Sequence, residues 1–199
     1  MQFAKADKLS FDPRPQMSGI FVEGFYRWLK PFSKDKAKLA LALSHMFNTS
    51  CFFTAFEECE IMAFAACSDG KFPSVRLKKK MICKSLGLIR GNIAYIVLKK
   101  HLTGRCYPFE FTQSMGSIEF VATAEEHREK GAAFGLISFI LDNTDYCEYV
   151  LEVADTNDVA MRLYKRLGFN EIKRLPAPKK SELNYYVYMK KLQKSVSYV

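Results

Sequence analysis

The first half of the chain predicts two helices followed by a pair of strands. Apolar residues recur every three or four positions from Ile20 to Phe32, the spacing of one helix face. The pattern returns between Lys34 and Phe47, directly after Ser33, a residue type that often caps a helix N-terminus. Cys51–Phe56 and Ile61–Cys67 contain aromatic and β-branched residues on either side of an acidic turn, which predicts an antiparallel hairpin.

The second half predicts strands that alternate with helices. Between the halves, residues 71–115 carry an apolar helical pattern that Gly87 and Gly91 interrupt, and we expect one or two short helices there. Because strands that alternate with helices require a sheet with helices on its faces, the predicted fold class is mixed α/β. The predicted elements are strands at Ser117–Thr123, Tyr149–Ala154, Phe169–Lys173 and Tyr185–Lys190, and helices at Gly131–Leu141 and Asp158–Leu167.

Length and composition fit one ordinary folded domain over residues 1–199. Hydrophobic residues make up 49% of the chain and charged residues 26%, which excludes fibrous, collagenous and wholly disordered proteins. The net charge of +9 favours an anionic partner over a cationic one. Residues 1–15 lack the apolar run of a secretory signal, and polar residues interrupt the uncharged stretch 39–56, so we expect a cytoplasmic protein without a membrane span.

The six cysteines point to reduced buried thiols rather than to zinc ligands or disulfides. They lie at positions 51, 59, 67, 83, 106 and 147, and none forms a C-x-x-C pair. We therefore expect no metal site in this protein.

The turn at residues 124–133 has the composition of an anion-binding site. It ends a predicted strand and opens a helix with the small residues Gly-Ala-Ala at 131–133, which leave the N–H groups of the first turn accessible. Arg128 and Lys130 add positive charge beside those groups. The turn therefore predicts a pyrophosphate site, although an ordinary strand-to-helix turn with a charged rim has the same composition. The G-x-x-x-x-G-K-[ST] and G-x-G-x-x-G phosphate loops are absent from the sequence.

A second motif follows about twenty residues later. Residues 151–169 read LEVADTNDVAMRLYKRLGF, and residues 128–133 read REKGAA. Together these segments resemble the GNAT superfamily of acyl-CoA-dependent N-acetyltransferases, whose pattern is R/Q-x-x-G-x-G/A, then a strand, then N-x-x-A-x-x-L-Y-x-x-x-G-F. The resemblance covers Ser117 to about Lys173. It implies a mostly antiparallel mixed sheet with helices on both faces, a splay between its fourth and fifth strands, and here a helical insert between the third and fourth.

The resemblance also implies that acetyl-CoA is the cofactor. The backbone around Val121 and Thr123 would meet the pantetheine arm, and amides from Glu129 to Ala133 would hold the pyrophosphate. Asn157 often contacts the cofactor in this family, and its residue type also suits a helix N-cap. The cofactor-binding residues implied in this way are Val121, Thr123, Arg128, Glu129, Lys130, Gly131, Ala132, Ala133, Asn157 and Tyr164.

Two residues are expected to act in catalysis by the same resemblance. Tyr164 takes the position of a general acid to the departing thiolate, and a phenol with a pKa near 10 holds its proton at neutral pH. The alternative is that Tyr164 only packs on its helix. Glu152 takes the position of a general base, with Glu119 on the neighbouring strand or an ordered water as alternatives. His127 is expected to be a surface loop residue.

The predicted activity is transfer of the acetyl group of acetyl-CoA to an amine by direct attack in a ternary complex. The acceptor, a small molecule or a peptide, is expected near the 71–115 insert and near the basic residues Lys173, Arg174, Lys179 and Lys180. A catalytically silent acyl-CoA-binding or regulatory module is the alternative. We expect neither a nucleic-acid partner, despite the basic run at 76–80, nor a membrane partner, and a homodimer is one option.

Overall fold

The computed structural model describes residues 1–70, 72–103, 107–178 and 183–193. Seven strands and six α-helices lie within these residues. The strands are β1 (Gln2–Lys5), β2 (Phe52–Glu57), β3 (Glu60–Ser68), β4 (Met115–Thr123), β5 (Glu148–Ala154), β6 (Asn170–Pro176) and β7 (Tyr185–Leu192). The helices are α1 (Arg14–Leu29), α2 (Lys36–Leu43), α3 (Lys79–Leu86), α4 (Leu88–Leu102), α5 (Ala132–Asp142) and α6 (Asp158–Arg166).

The strands form one sheet in the order β1-β2-β3-β4-β5-β7-β6. Every neighbouring pair is antiparallel except β4 and β5, which run parallel. The β4–β5 ladder extends only from Met115 opposite Glu148 to Ile118 opposite Leu151. The predicted mixed α/β class, the mostly antiparallel sheet and the splay between the fourth and fifth strands are therefore confirmed.

Each face of the sheet carries its own hydrophobic cluster. Residues of α1 to α4 pack on one face, where Phe47 meets Phe52 and Phe64 edge to face at centroid distances of 5.3 and 5.6 Å. The hydrophobic side of α5 and the Tyr164 side of α6 pack on the other face of the sheet, where α5 lies against β2, β3 and β4. Since aromatic rings remove large apolar areas from water, these clusters stabilise the packing of the helices against the sheet. The opening between β4 and β5 lies between the two clusters.

The helix starts in the first half differ from the prediction. The first helix begins at Arg14 rather than near Ile20. The N-cap of α2 is Asp35, whose carboxylate accepts a hydrogen bond from the Lys38 N–H at 3.1 Å. Ser33, the predicted cap, instead accepts from the Asp35 N–H at 3.1 Å, so that prediction was wrong. The physical reason is that Ser33 caps the turn that precedes the helix, and Asp35 caps the helix itself.

The insert between β3 and β4 contains the two helices α3 and α4. Gly87 separates them, as predicted, but Gly91 lies inside α4 and does not interrupt it. A Cβ at Gly91 would lie 2.6 Å from the Cα of Cys83, so glycine at this position allows the two helices to pack closely. The short strand β1 was not predicted.

The described cysteines, Cys51, Cys59, Cys67, Cys83 and Cys147, are free thiols. Cys67 is buried, but Cys59 and Cys147 are exposed, so the expectation of burial was wrong for these two. Cys106 lies outside the described residues. Among the described helices, none has both the length and the apolar character needed to cross a bilayer.

Candidate active site between the splayed strands

A β-bulge in β4 marks the point where the two central strands separate. Ala66 of β3 lies opposite Glu119 and Phe64 lies opposite Ala122, so β4 contains one extra residue in this interval. Phe120 lies within it and has φ 52°, a left-handed conformation that is uncommon for a bulky residue. Beyond Ile118, β4 no longer pairs with β5, whereas β5 stays paired with β7 through Ala154. The splay is therefore built into the backbone.

A cavity of about 390 Å³ occupies the opening between the two strands. We call it the splay cavity. Residues of α1 and α4 line it from one face of the sheet, and residues of α6 line it from the other. Five of the residues singled out in the sequence line it together: Glu119, Val121, Glu152, Asn157 and Tyr164. Thr123 and the turn at 128–133 lie further along the chain, outside the lining of this cavity.

The turn before α5 has the backbone of an open helix N-terminus. Gly131 is the N-cap residue in the left-handed conformation, with φ 83°, and Glu129 has φ 62°. The helical hydrogen-bond ladder starts with the Gly135 N–H, which donates to the Gly131 carbonyl at 2.9 Å. The N–H groups of Ala132, Ala133 and Phe134 precede that ladder and are available to an anion. Arg128 and Lys130 are exposed beside them.

Arg166 adds a positive charge that the sequence reasoning missed. Its guanidinium carbon lies 4.6 Å from the centroid of the Phe134 ring, in the first turn of α5. A cation–π contact of this kind holds the guanidinium of α6 beside the N-terminus of α5. No local signal marks the residue, because the contact joins positions 32 residues apart in the sequence.

The end of α6 holds Tyr164 in a fixed position. Gly168, with φ 86°, follows the C-cap residue, Leu167, and its N–H donates to the Lys165 carbonyl at 3.0 Å. The Phe169 N–H donates to the Tyr164 carbonyl at 3.0 Å, which completes a Schellman motif. The Tyr164 side chain is 6% exposed and lies 6.1 Å from the Phe169 ring, so it both packs in the core and lines the cavity.

Asn157 also has two contacts of different kinds. Its side-chain oxygen accepts a hydrogen bond from the Ala160 N–H at 3.1 Å, which confirms the predicted N-cap of α6. The same residue lines the splay cavity. Capping and cofactor contact are therefore compatible in this geometry.

Glu152 lies on β5 directly opposite Tyr188 of β7. Burial raises the pKa of Tyr188, and the negative charge of Glu152 and a hydrogen bond to its carboxylate raise that pKa further. Tyr188 therefore stays protonated and donates to Glu152. The carboxylate faces the splay cavity on the opposite side of β5 from the buried Leu151 and Val153.

Glu119 is held by three serine hydroxyls. One carboxylate oxygen accepts from Ser68 at 2.9 Å and from Ser117 at 2.8 Å, and the other accepts from Ser74 at 2.6 Å. These serines come from the end of β3, the segment that follows it, and β4. Their separation in the sequence explains why no pattern indicated this arrangement.

The remaining predicted residues lie away from the cavity. His127 contacts Glu60 at 3.0 Å and does not line the cavity. It ends a short 3-10 helix, Glu125–His127, and its side chain is only 17% exposed, so the prediction of a surface loop residue was wrong. Lys173 donates to the Pro108 carbonyl at 2.6 Å, and Arg174 forms an ion pair with Glu171 at 2.9 Å. Lys179 and Lys180 lie outside the described residues.

Comparisons with known proteins identify the family of this chain. The model of the acetyltransferase (GNAT) family matches residues 21–169, and no curated protein gives a significant match. An N-acetyltransferase from Staphylococcus aureus Mu50 is similar in structure, with a TM-score of 0.61, 15% identity, and coverage of 96% of this chain and 100% of that chain.

Two further solved structures have the same fold. The structure of yncA from Salmonella typhimurium with its cofactor acetyl-CoA gives a TM-score of 0.58 at 14% identity, with coverage of 98% and 95% of the two chains. The ribosomal-protein-alanine N-acetyltransferase from Brucella melitensis gives 0.55 at 12% identity, with coverage of 97% and 100%. The family model, which spans most of the chain, together with the splayed sheet, shows that this protein belongs to the GNAT family of acetyltransferases.

Proposed function

We propose that the protein transfers the acetyl group of acetyl-CoA to an amine by direct attack in a ternary complex. The observation that carries the proposal is the splay cavity, which opens where β4 and β5 separate. Its lining includes Tyr164 on one side of the sheet and two carboxylates, Glu119 and Glu152, on the other. An acid and a base on opposite sides of one opening suit a reaction in which a proton leaves the acceptor and another reaches the leaving group.

The described residues fit the chemical groups of acetyl-CoA. Among the described residues β5 pairs with β4 only as far as Ile118, so the backbone N–H and C=O groups of Val121 and Thr123 beyond that point would bind the amides of a pantetheine arm. The first-turn amides of α5, together with Arg128, Lys130 and Arg166, would hold the diphosphate. When bound, acetyl-CoA supplies an acyl group activated as a thioester.

Tyr164 is assigned the role of general acid. Its hydroxyl would deliver a proton to the sulfur as the C–S bond breaks, because a phenol stays protonated at neutral pH. The Schellman motif and the Phe169 contact hold the ring in place without supplying the chemistry. The role of the hydroxyl can therefore be tested separately from the packing of the ring.

Glu152 is assigned the role of general base. The two oxygens of Glu119 already accept three hydroxyl hydrogen bonds, so most of the acceptor capacity of this carboxylate is in use. Glu152 lies on the same cavity opposite Tyr188 and keeps capacity to take a proton from the acceptor, directly or through water. This division of roles leaves Glu119 available for binding.

The test is the Tyr164→Phe variant, assayed by mass spectrometry of the acetylated amine. We expect kcat to fall by about 10²-fold, the usual size of a general-acid effect, with little change in acetyl-CoA affinity. Tyr146→Phe is the matched control, because Tyr146 packs against Tyr149 away from the splay cavity and should keep wild-type kcat.

Two results would contradict the proposal in different ways. Wild-type turnover in Tyr164→Phe would exclude the assigned general acid. Acetyl-CoA binding in a thermal-shift assay, without acetylation of any amine tested, would favour the silent binding module instead.

A further inference from the structure

We propose that the acceptor is a primary amine carried on an aromatic or apolar body, and that it binds in a second cavity beside Glu119. This inference rests on the proposed acetyl transfer and names its substrate class. The second cavity has a volume of about 600 Å³, a size typical of small-molecule sites. We call it the insert cavity, because residues of the segment between β3 and β4 form much of its lining: Phe72, Pro73, Ser74, Tyr107, Phe109, Phe111, Thr112 and Gln113.

The insert cavity adjoins the splay cavity. Leu102, at the end of α4, and Glu119 line both. Glu119 projects from β4 toward the face that carries Ser68, Ser74 and Ser117, whereas Tyr164 lies on the opposite face. An amine in the insert cavity would therefore approach the splay from the face opposite the general acid, so the two groups do not compete for the same space.

Four aromatic residues line the insert cavity, Phe72, Tyr107, Phe109 and Phe111, and the last three pack together. The Tyr107 ring lies 5.1 Å from Phe109 and 5.3 Å from Phe111, with the latter pair stacked at 19°. Tyr107 also meets Tyr188 edge to face at 6.1 Å. Because the Lys173 amino group donates to the Pro108 carbonyl at 2.6 Å, the segment that carries these rings is tied to β6. The rings form a fixed apolar wall rather than a solvated loop.

A directed chain of hydrogen bonds joins the aromatic wall to the carboxylate. The Ser117 hydroxyl has a single proton, which it donates to Glu119 at 2.8 Å. The Tyr107 hydroxyl, 2.5 Å from the Ser117 oxygen, must therefore donate to it. The chain thus ends on the Glu119 carboxylate beside aromatic faces, and a carboxylate next to aromatic faces is the combination that recognises an ammonium group on an apolar body.

The lining of the insert cavity is acidic, whereas the protein as a whole is positively charged. Among the described residues that line it, Asp69 and Glu119 are acidic and none is Lys or Arg, although the chain carries a net charge of +9. A protein of this charge repels cations at long range, so the two acidic residues in this lining favour a cationic ligand locally. Anionic acceptors, by contrast, meet two carboxylates.

The proton balance follows from these positions. Glu119 would bind the ammonium form, and Glu152 would take one proton from it and pass that proton to solvent. The neutral nitrogen then forms the new C–N bond as the C–S bond breaks. Tyr164 protonates the sulfur, and the second proton lost by nitrogen replaces the one that Tyr164 gave. The products are the acetamide, the free thiol and one proton in solution.

The test compares acceptors and variants in steady-state kinetics. We expect kcat/KM for 2-phenylethylamine to exceed that for spermidine and for an alanine-starting peptide by about tenfold or more. Phe109→Leu, which keeps bulk but removes the ring, should raise KM for 2-phenylethylamine about fivefold with kcat nearly unchanged, and Glu119→Gln should raise it further. Ile93→Ala, an exposed change on α4, is the control and should leave both constants unchanged.

The outcomes separate this inference from the function on which it rests. If the wild-type protein neither binds acetyl-CoA nor acetylates any amine tested, the proposed function is wrong. Acetylation with spermidine or the peptide preferred, or a Phe109→Leu variant with unchanged KM for 2-phenylethylamine, would overturn the acceptor class alone. The melting temperature of each variant shows whether it folds, and Phe111→Leu provides a second, independent change in the same wall.

Discussion

The turn that opens α5 can be tested by a pair of Gly→Ala substitutions that should change stability in opposite directions. Gly131 has φ 83°, a left-handed conformation, whereas Gly24 lies inside α1. A Cβ at either position meets nothing within 4 Å, so neither substitution creates a clash. The difference between the two changes in stability therefore reports the effect of backbone conformation alone.

The magnitudes follow from that conformation. An L-residue in the left-handed region costs about 1–2 kcal/mol, so Gly131→Ala should lower the free energy of unfolding by about that amount. Gly24→Ala should raise it by about 0.5–1 kcal/mol, because alanine favours a helix interior. In a chain of this length each kcal/mol shifts Tm by about 2–4 °C.

The assay is thermal unfolding followed by circular dichroism, with Gly131→Asn as a third variant. Asparagine tolerates the left-handed conformation, so it should lose less than half of what alanine loses. A Gly131→Ala protein with wild-type or higher Tm would show that residue 131 does not adopt the left-handed conformation. The proposed diphosphate site depends on that conformation and would then be contradicted.

Three further predictions concern other parts of the molecule. Asp35→Ala should lower the free energy of unfolding by about 1 kcal/mol in urea titrations, and Ser33→Ala by clearly less, since only Asp35 caps α2; equal losses would contradict this. Burial raises the pKa of Cys67 to about 12 from an unfolded value of 9.0, so the stabilisation present below pH 9 is lost as pH rises toward 12, and Cys67→Ala should remove that part of the dependence of Tm on pH. Arg166→Met should raise the Kd for acetyl-CoA about threefold and weaken its dependence on salt in calorimetric titrations, whereas an unchanged Kd would place Arg166 outside the diphosphate site.

Local spacing predicts those parts of the fold that depend on neighbouring residues. The hairpin of β2 and β3 follows from two apolar runs around an acidic turn, and Asn157 and Tyr164 are seven residues apart, two turns of one helix. The start of α2 was predicted wrongly because Ser33 and Asp35 both have capping side chains. The four-residue strand β1 has no periodic pattern of its own, and it depends on its pairing with β2.

Only the α6 side of the candidate site can be predicted from the sequence, because one local motif supplies it. The N-cap at Asn157 and the Schellman motif after α6 are local, so the sequence determines where Tyr164 lies. Glu119 differs, because its three serine partners and the aromatic wall come from segments that only the folded sheet brings together. The insert that supplies that wall carries no motif of its own. The acetyl-donor side of the reaction can therefore be inferred from spacing, whereas the acceptor depends on residues whose proximity is a property of the fold.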